Sequence, residues 1–274
     1  MQLFSTWSGP DFLAFYAVML VTCVGLSLWL PANLRAEGRK TRLEDPEEIA
    51  FLSGGAQRHA LTVLADLYVQ GAIDKTKKAK VAVARTQVEV SSGGAAVLNK
   101  VGDFSLAEAM KTLRRHAKDV ERSLIKRGLM MEGGEVDRLR ILSVLPLIAL
   151  FALGLYRQQA GADLGEPTGY LVGFLALTAF AGVVRVAVMG RRTKAGNAVL
   201  ADWQERSSRL KRAPEGSEVP LAVGLFGTGV LAGTPYAHVH AMRQSSSGGD
   251  GGSSSDSGDG GGGGCGGGCG GCGG

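Results

Sequence analysis

The chain has 274 residues and a formal net charge of +5, from 30 Lys and Arg against 25 Asp and Glu, a balance too weak to argue for nucleic acid by itself. Residues 245–274 hold only 17 Gly, 7 Ser, 3 Asp and 3 Cys, so that segment has nothing to bury and is expected to be disordered. Three long apolar stretches exclude a single soluble globule, and the lone Cys23 outside the tail excludes a disulfide-built fold.

Residues 1–11 form a short N-terminal segment with Asp11 and no Lys or Arg. The basic start of a cleaved signal peptide is therefore missing. Residues 12–30 are a first transmembrane helix, free of charge over 19 positions. Such a helix rises roughly 28 Å, about the hydrocarbon thickness of a bilayer. Trp7 and Trp29 suit the interfacial aromatic belts, and Pro31 is expected to stop the helix.

Residues 31–140 read as a small cytoplasmic helical domain. Asp45-Pro46-Glu47-Glu48 starts a helix: Asp45 caps, Pro46 takes the first helical position, and Glu48 stands three residues after the cap. Gly54-Gly55 ends it, and a second helix runs from about 56 to 70 with Gly71 as its stop. The basic stretch Lys75, Lys77, Lys78 and Lys80 follows. Val81, Val83, Val88 and Val90 then suggest one or two strands of a β hairpin, and residues 91–94 a loop. Ser105 and Glu108 form a capping box. The helix behind them carries an apolar stripe of Leu106, Met110, Leu113, Ala117, Val120 and Leu124, predicted to pack on the first helical pair. Residues 67–73 and 124–130 echo each other as helix end, glycine and apolar strand start. That order is winged-helix-like.

A second transmembrane helix is expected over 141–156, between Arg140 and Arg157 and with Pro146 inside it, and a third over 169–189. Arg185, near the end of the third, is read as snorkelling to the interface. The link 157–168 is short enough to make the pair a hairpin. Residues 190–219 form a basic segment. Residues 220–236 are apolar but carry Gly224, Gly227, Gly229 and Gly233, with Gly229 and Gly233 in GxxxG spacing. They read as membrane-docked in preference to spanning. Residues 244–274 are the tail.

Basic residues set the orientation. Arg35, Arg39, Lys40 and Arg42, then Arg138 and Arg140, then Arg191, Arg192 and Lys194 fall on one side when the N-terminus is outside. The expectation is a multi-pass protein of the cell membrane with 31–140 and the tail cytoplasmic and the 157–168 link external.

The only candidate metal ligands the sequence singles out are Cys265, Cys269 and Cys272. An all-glycine chain loses much entropy in closing such a site, so a flexible thiol-bearing tail is the favoured reading and no cofactor is expected. His238 and His240 make an H-x-H pair, read as interfacial histidines. The sequence has no H-E-x-x-H, G-x-S-x-G or Walker-type pattern, and no catalytic residue is assigned. The Lys75–Lys80 stretch lacks interleaved aromatics, which disfavours single-stranded nucleic acid.

The run Asp45-Pro46-Glu47-Glu48-Ile49-Ala50-Phe51-Leu52-Ser53-Gly54-Gly55, with a Gly/Cys-rich end, resembles an uncharacterised family of bacterial membrane proteins. These carry a D-P-x-E-x-A-x-L-x-G-G motif and glycine-cysteine tails. The resemblance implies an inner-membrane location and this order of segments, and assigns no reaction. The expectation is a mostly α membrane protein acting as a non-enzymatic interaction or scaffold protein, with the lipid bilayer and a protein as partners. Two alternatives stand: a metal- or thiol-handling protein working through the tail, and a membrane-tethered DNA-binding regulator. The latter would need a basic helix face such as Arg114, Arg115, Lys118 and Arg122.

Overall fold

The computed structural model describes residues 9–76, 80–163, 169–212 and 214–247. The chain runs α1 (Gly9–Leu34), α2 (Pro46–Val69), β1 (Ile73–Lys75), β2 (Val81–Val83), α3 (Ser92–Leu98), α4 (Leu106–Lys126), α5 (Gly133–Asp163), α6 (Gly169–Val188), α7 (Lys194–Arg206), α8 (Val219–Phe226) and α9 (Ala237–Ser247). Helices α1, α5 and α6 are long and apolar enough to cross a membrane.

These three helices pack on one another. Phe12, Tyr16, Leu20 and Cys23 recur at helical spacing on one face of α1 and are buried against Leu147 and Leu150 of α5 and Leu171 and Leu175 of α6. Gly154 lets α5 come close, because a Cβ there would meet Tyr16 and Leu175 at 2.8 Å. Thr178 gives its hydroxyl proton to the Phe174 carbonyl, so Tyr16 donates across the bundle to Thr178 at 3.1 Å. Val18, Val21, Phe180 and Val183 point outward and are exposed. In water such a surface would be a liability; in lipid it is the solvated face.

Two helices outrun their expected bounds. Pro31 does not stop α1, which continues to Leu34, with Arg35 N–H donating to the Pro31 carbonyl at 3.1 Å. Proline removes one donor but still accepts at its own carbonyl. The expected span 141–156 is the middle of the longer α5, whose first turns before Arg140 carry Glu135, Asp137 and Arg138.

The remaining elements build a helical domain around α2. Asp45 caps it as expected, its Oδ1 accepting from Glu47 N–H at 2.9 Å. Glu48 does not close a capping box: its carboxylate takes Ser123 Oγ–H at 3.1 Å and Arg127 Nη1 at 2.8 Å, tying the start of α2 to the end of α4. Gly54 and Gly55 break the helix in two, and only glycine tolerates the φ of +67° at Gly55. The carbonyls of Leu52 and Ser53, freed by the break, are taken by the Arg192 guanidinium.

The hairpin is formed by β1 and β2, with Ile73 opposite Val83. Val88 and Val90, expected in a strand, pack instead as irregular chain against the core. Residues 91–94, expected as a loop, open α3, because the Ser91 hydroxyl accepts from Gly94 N–H and caps it. The Ser105–Glu108 capping box and the buried stripe of α4 stand as expected, with Met110 only partly buried. The echo between 67–73 and 124–130 is real at the level of hydrogen bonds. Gly71 (φ +65°) and Gly128 (φ +74°) each end a helix with the same pair of bonds. Ala72 N–H reaches Leu67 O and Leu129 N–H reaches Leu124 O, which is the Schellman arrangement.

The apolar segment 220–236, expected at the membrane, lies in the domain core. Val219, Ala222, Val223, Leu225 and Leu231 are all at most 1% exposed. Its apolar character comes from the burial of α8 against α2, where Gly224 permits the approach: a Cβ there would stand 3.3 Å from the Pro46 carbonyl. The GxxxG reading fails. Gly229 sits in a 3-10 turn, Thr228–Leu231, and Gly233 has a φ of +82°. The segment 190–219 is likewise part of the domain, supplying α7 and its buried Leu200. Residues 244–247, assigned to the tail, continue α9.

Candidate functional site

The break at Gly54-Gly55 has a chemical consequence. Twelve residues along an unbroken helix would separate Glu47 and His59 by about 18 Å. Because α2 doubles back, His59 Nε2 lies 3.0 Å from Glu47 Oε2. From α4, His116 Nε2 reaches the same oxygen at 2.7 Å. One carboxylate oxygen thus meets two imidazole nitrogens, and the three donor atoms all lie within 4.8 Å of one another. The imidazole rings stand 5.2 Å apart between centroids.

The surroundings hold this group still. His59 is wholly buried, and Phe51 meets its ring edge-on at 6.3 Å. His116 Nδ1 is paired with Ser92 Oγ at 3.2 Å. The first turn of α3 covers the site closely. A Cβ on Gly93 would stand 2.9 Å from His116 Cδ2 and 3.2 Å from Glu47 Oε2, so a side chain there would force the site apart. His59 Nδ1 has no hydrogen-bond partner among the described residues.

Burial alone pushes the Glu47 carboxyl up. Hydrogen bonds from His59, Ser91 and His116, together with the attraction of His59, outweigh it and hold the group down at about 2. Glu47 also stands in the first turn of α2, where the aligned peptide dipoles favour a negative charge. The carboxylate is therefore ionised at neutral pH in a nearly closed site.

A second feature is the outer face of α4. Lys111, Arg114, Arg115 and Lys118 project to solvent in a row, and none is in an ion pair among the described residues. Arg122 is paired with Asp119 at 2.8 Å, and Glu121 with Arg191 at 2.6 Å. Asp119 stays exposed beside the row, its charge matched by Arg122, and Glu121 is turned toward Arg191.

The expected site residues fare differently. Cys265, Cys269 and Cys272 lie outside the described residues, as do Lys77 and Lys78 of the basic stretch. His238 and His240 do not converge. His238 Nε2 bonds the Lys80 carbonyl at 3.0 Å and its ring stacks on Tyr68, while His240 Nδ1 pairs with Thr228 Oγ1 at 3.0 Å. Sequence reasoning missed Glu47, His59 and His116 as a group. Glu47 reads there as a first-turn acid, and the histidines are 57 positions apart. The available signal was small: two of the chain's four histidines fall beside apolar positions of the two main domain helices.

Compared with protein-family models, characterised proteins and solved structures, the chain matches none. The class is set by the fold itself: a helical protein with three helices suited to cross a membrane and a helical domain joined to them.

Proposed function

We propose that the chain is a multi-pass protein of the bacterial inner membrane whose three-helix anchor holds a non-enzymatic interaction domain at the cytoplasmic face. The basic row Lys111, Arg114, Arg115 and Lys118 on α4 carries the reading. It is exposed and in no ion pair among the described residues, and it suits an acidic protein surface. The anchoring is firm, because the chain leaving α1, entering α5 and leaving α6 meets at one junction. Arg39 N–H and Thr193 Oγ–H both donate to the Gly128 carbonyl, Lys194 N–H donates to Ala36 O, and Met131 N–H to Arg191 O. The positive charges around that junction support the cytoplasmic orientation.

A photo-crosslinking residue in place of Arg115, in intact membranes, tests this. The expected result is a discrete protein adduct that Arg114→Glu together with Lys118→Glu abolishes. Adducts to lipid alone would sink the reading. Adducts to DNA would replace it with a membrane-tethered regulator that uses the same face.

A further inference from the structure

We infer that Glu47, His59 and His116 form a binding site for one divalent first-row metal ion, of the zinc class. The donor set is one carboxylate and two imidazoles, a combination that suits zinc and its neighbours and leaves a coordination position open. The three come from separate segments: the first turn of α2, α2 beyond its break, and α4. An ion there would bind those segments together.

Two of the three donor separations lie close to those around a bound ion, and the third is within 4.8 Å. Donor atoms around a tetrahedral ion with bonds of about 2.0 Å stand about 3.3 Å apart. The two imidazole nitrogens stand 3.0 and 2.7 Å from Glu47 Oε2. The carboxylate therefore has to withdraw by a few tenths of an ångström.

The proton balance also closes. Without an ion, each neutral imidazole keeps its proton on Nε2 and donates a hydrogen bond to the ionised carboxylate. With an ion on Nε2, each neutral ring carries its proton on Nδ1 and no proton leaves the protein. In His116 that N–H then donates to Ser92 Oγ, which serves as the outer acceptor that orients a metal-bound histidine. In His59 it meets no described partner. The missing outer partner weakens binding by roughly 10- to 100-fold relative to a fully supported site.

The test uses the full-length protein, purified in detergent, with Cys265, Cys269 and Cys272 changed to Ser so that tail thiols do not contribute. After stripping with a chelator and dialysis against zinc chloride, this parent should retain one zinc per chain. Its melting temperature should rise with zinc concentration. Glu47→Gln and His116→Asn should each lower zinc affinity at least tenfold and lose the thermal response. Cobalt(II) is the second probe, read on the parent alone so that a misfolded variant does not decide the outcome. The intense visible bands of a low-coordinate ion, reversed by chelator, are expected. A parent that holds no zinc and gives only the pale spectrum of hydrated cobalt overturns the inference, as does zinc binding unchanged in folded His116→Asn. In either case the three residues are a hydrogen-bonded latch.

Discussion

Arg185 of α6 donates its Nε–H to the carbonyl of Ser27 in α1 at 2.9 Å. Ser27 is four residues before Pro31, so its carbonyl is the one that proline leaves without a helical donor. In a membrane an orphaned carbonyl has no water to turn to. The arginine that reads as snorkelling thus fills the gap a proline made in another helix, which continues past Pro31 to Leu34.

Removing one partner should therefore depend on the other. Arg185→Met is expected to destabilise the helix bundle by about 1–2 kcal/mol, the cost of an unsatisfied buried carbonyl. Pro31→Ala restores the helical N–H and should recover most of that loss in the double variant. Melting the purified protein in detergent gives the cycle. An Arg185→Met penalty that is the same with and without Pro31 would show that the arginine acts elsewhere.

Gly196 of α7 runs beneath the Leu129 carbonyl, and a Cβ there would stand 2.1 Å from that oxygen. The obstacle is backbone on both sides, so it cannot rotate away. Gly196→Ala should cost at least about 2 kcal/mol. Gly229→Ala, where a Cβ meets nothing within 4 Å, is the control and should melt like the parent. Equal melting temperatures for the two variants would contradict the close approach of α7 to the end of α4.

The cap on α2 can be separated from the contacts next to it. Asp45→Ala should lower stability by about 1 kcal/mol through the lost bond to Glu47 N–H. Glu48→Gln should weaken the link to Arg127 instead, and its effect should vanish when Arg127 is already Met. The full chain is needed for both measurements, because α8 packs on α2 and a fragment ending before residue 140 lacks it. If Glu48→Gln costs as much in the Arg127→Met background, the ion pair contributes nothing.

What the sequence disclosed was local. Asp45, Ser105, Gly71 and Gly128 mark helix ends through rules that span a few residues, and each mark was legible. The apolar runs of α1, α5 and α6 were legible for the same reason. Segment 220–236 was not, because hydrophobicity alone does not say whether lipid or protein surrounds a short helix. The Glu47–His59–His116 group was hidden because it depends on the angle at Gly54-Gly55. A pair of glycines announces a break, and says nothing of where the chain goes next.

Asp66 offers a pH test away from that group. Burial raises its pKa above the ordinary 3.8, outweighing the hydrogen bond from Gln70 and joined by repulsion from Glu47. The folded chain therefore favours the protonated acid. Stability present at acid pH is lost as pH rises from 3.8 through the raised value. Asp66→Asn keeps an oxygen for Gln70 and removes the half-buried charge. It should melt higher than the parent at pH 7.5, with the gap closing as pH falls toward 4. A gap independent of pH would mean that the aspartate is ionised at no cost to the fold.

The position of α8 bears on which side of the membrane the tail cysteines occupy. Because 220–236 packs on α2, and α9 follows with Val239 and Met242 in the same core, the chain emerges at Ser247 on the side of the helical domain. A tail that follows from Ser247 is expected on that side. No Lys, Arg or His lies between 245 and 274. Single cysteines settle the arrangement in a background where Cys23, Cys265, Cys269 and Cys272 are Ser. With a membrane-impermeant maleimide on intact cells, Gly161→Cys at the end of α5 should be labelled. Gln57→Cys, exposed on α2, should be labelled only after the cells are opened, and a restored Cys269 should behave like Gln57→Cys. Labelling of Cys269 from outside while Gln57→Cys stays protected would require the chain to cross the membrane after α7. That cannot be reconciled with the burial of Val219, Val223 and Leu225 against α2. Labelling of both from outside would keep the fold and invert the orientation drawn from the positive charges.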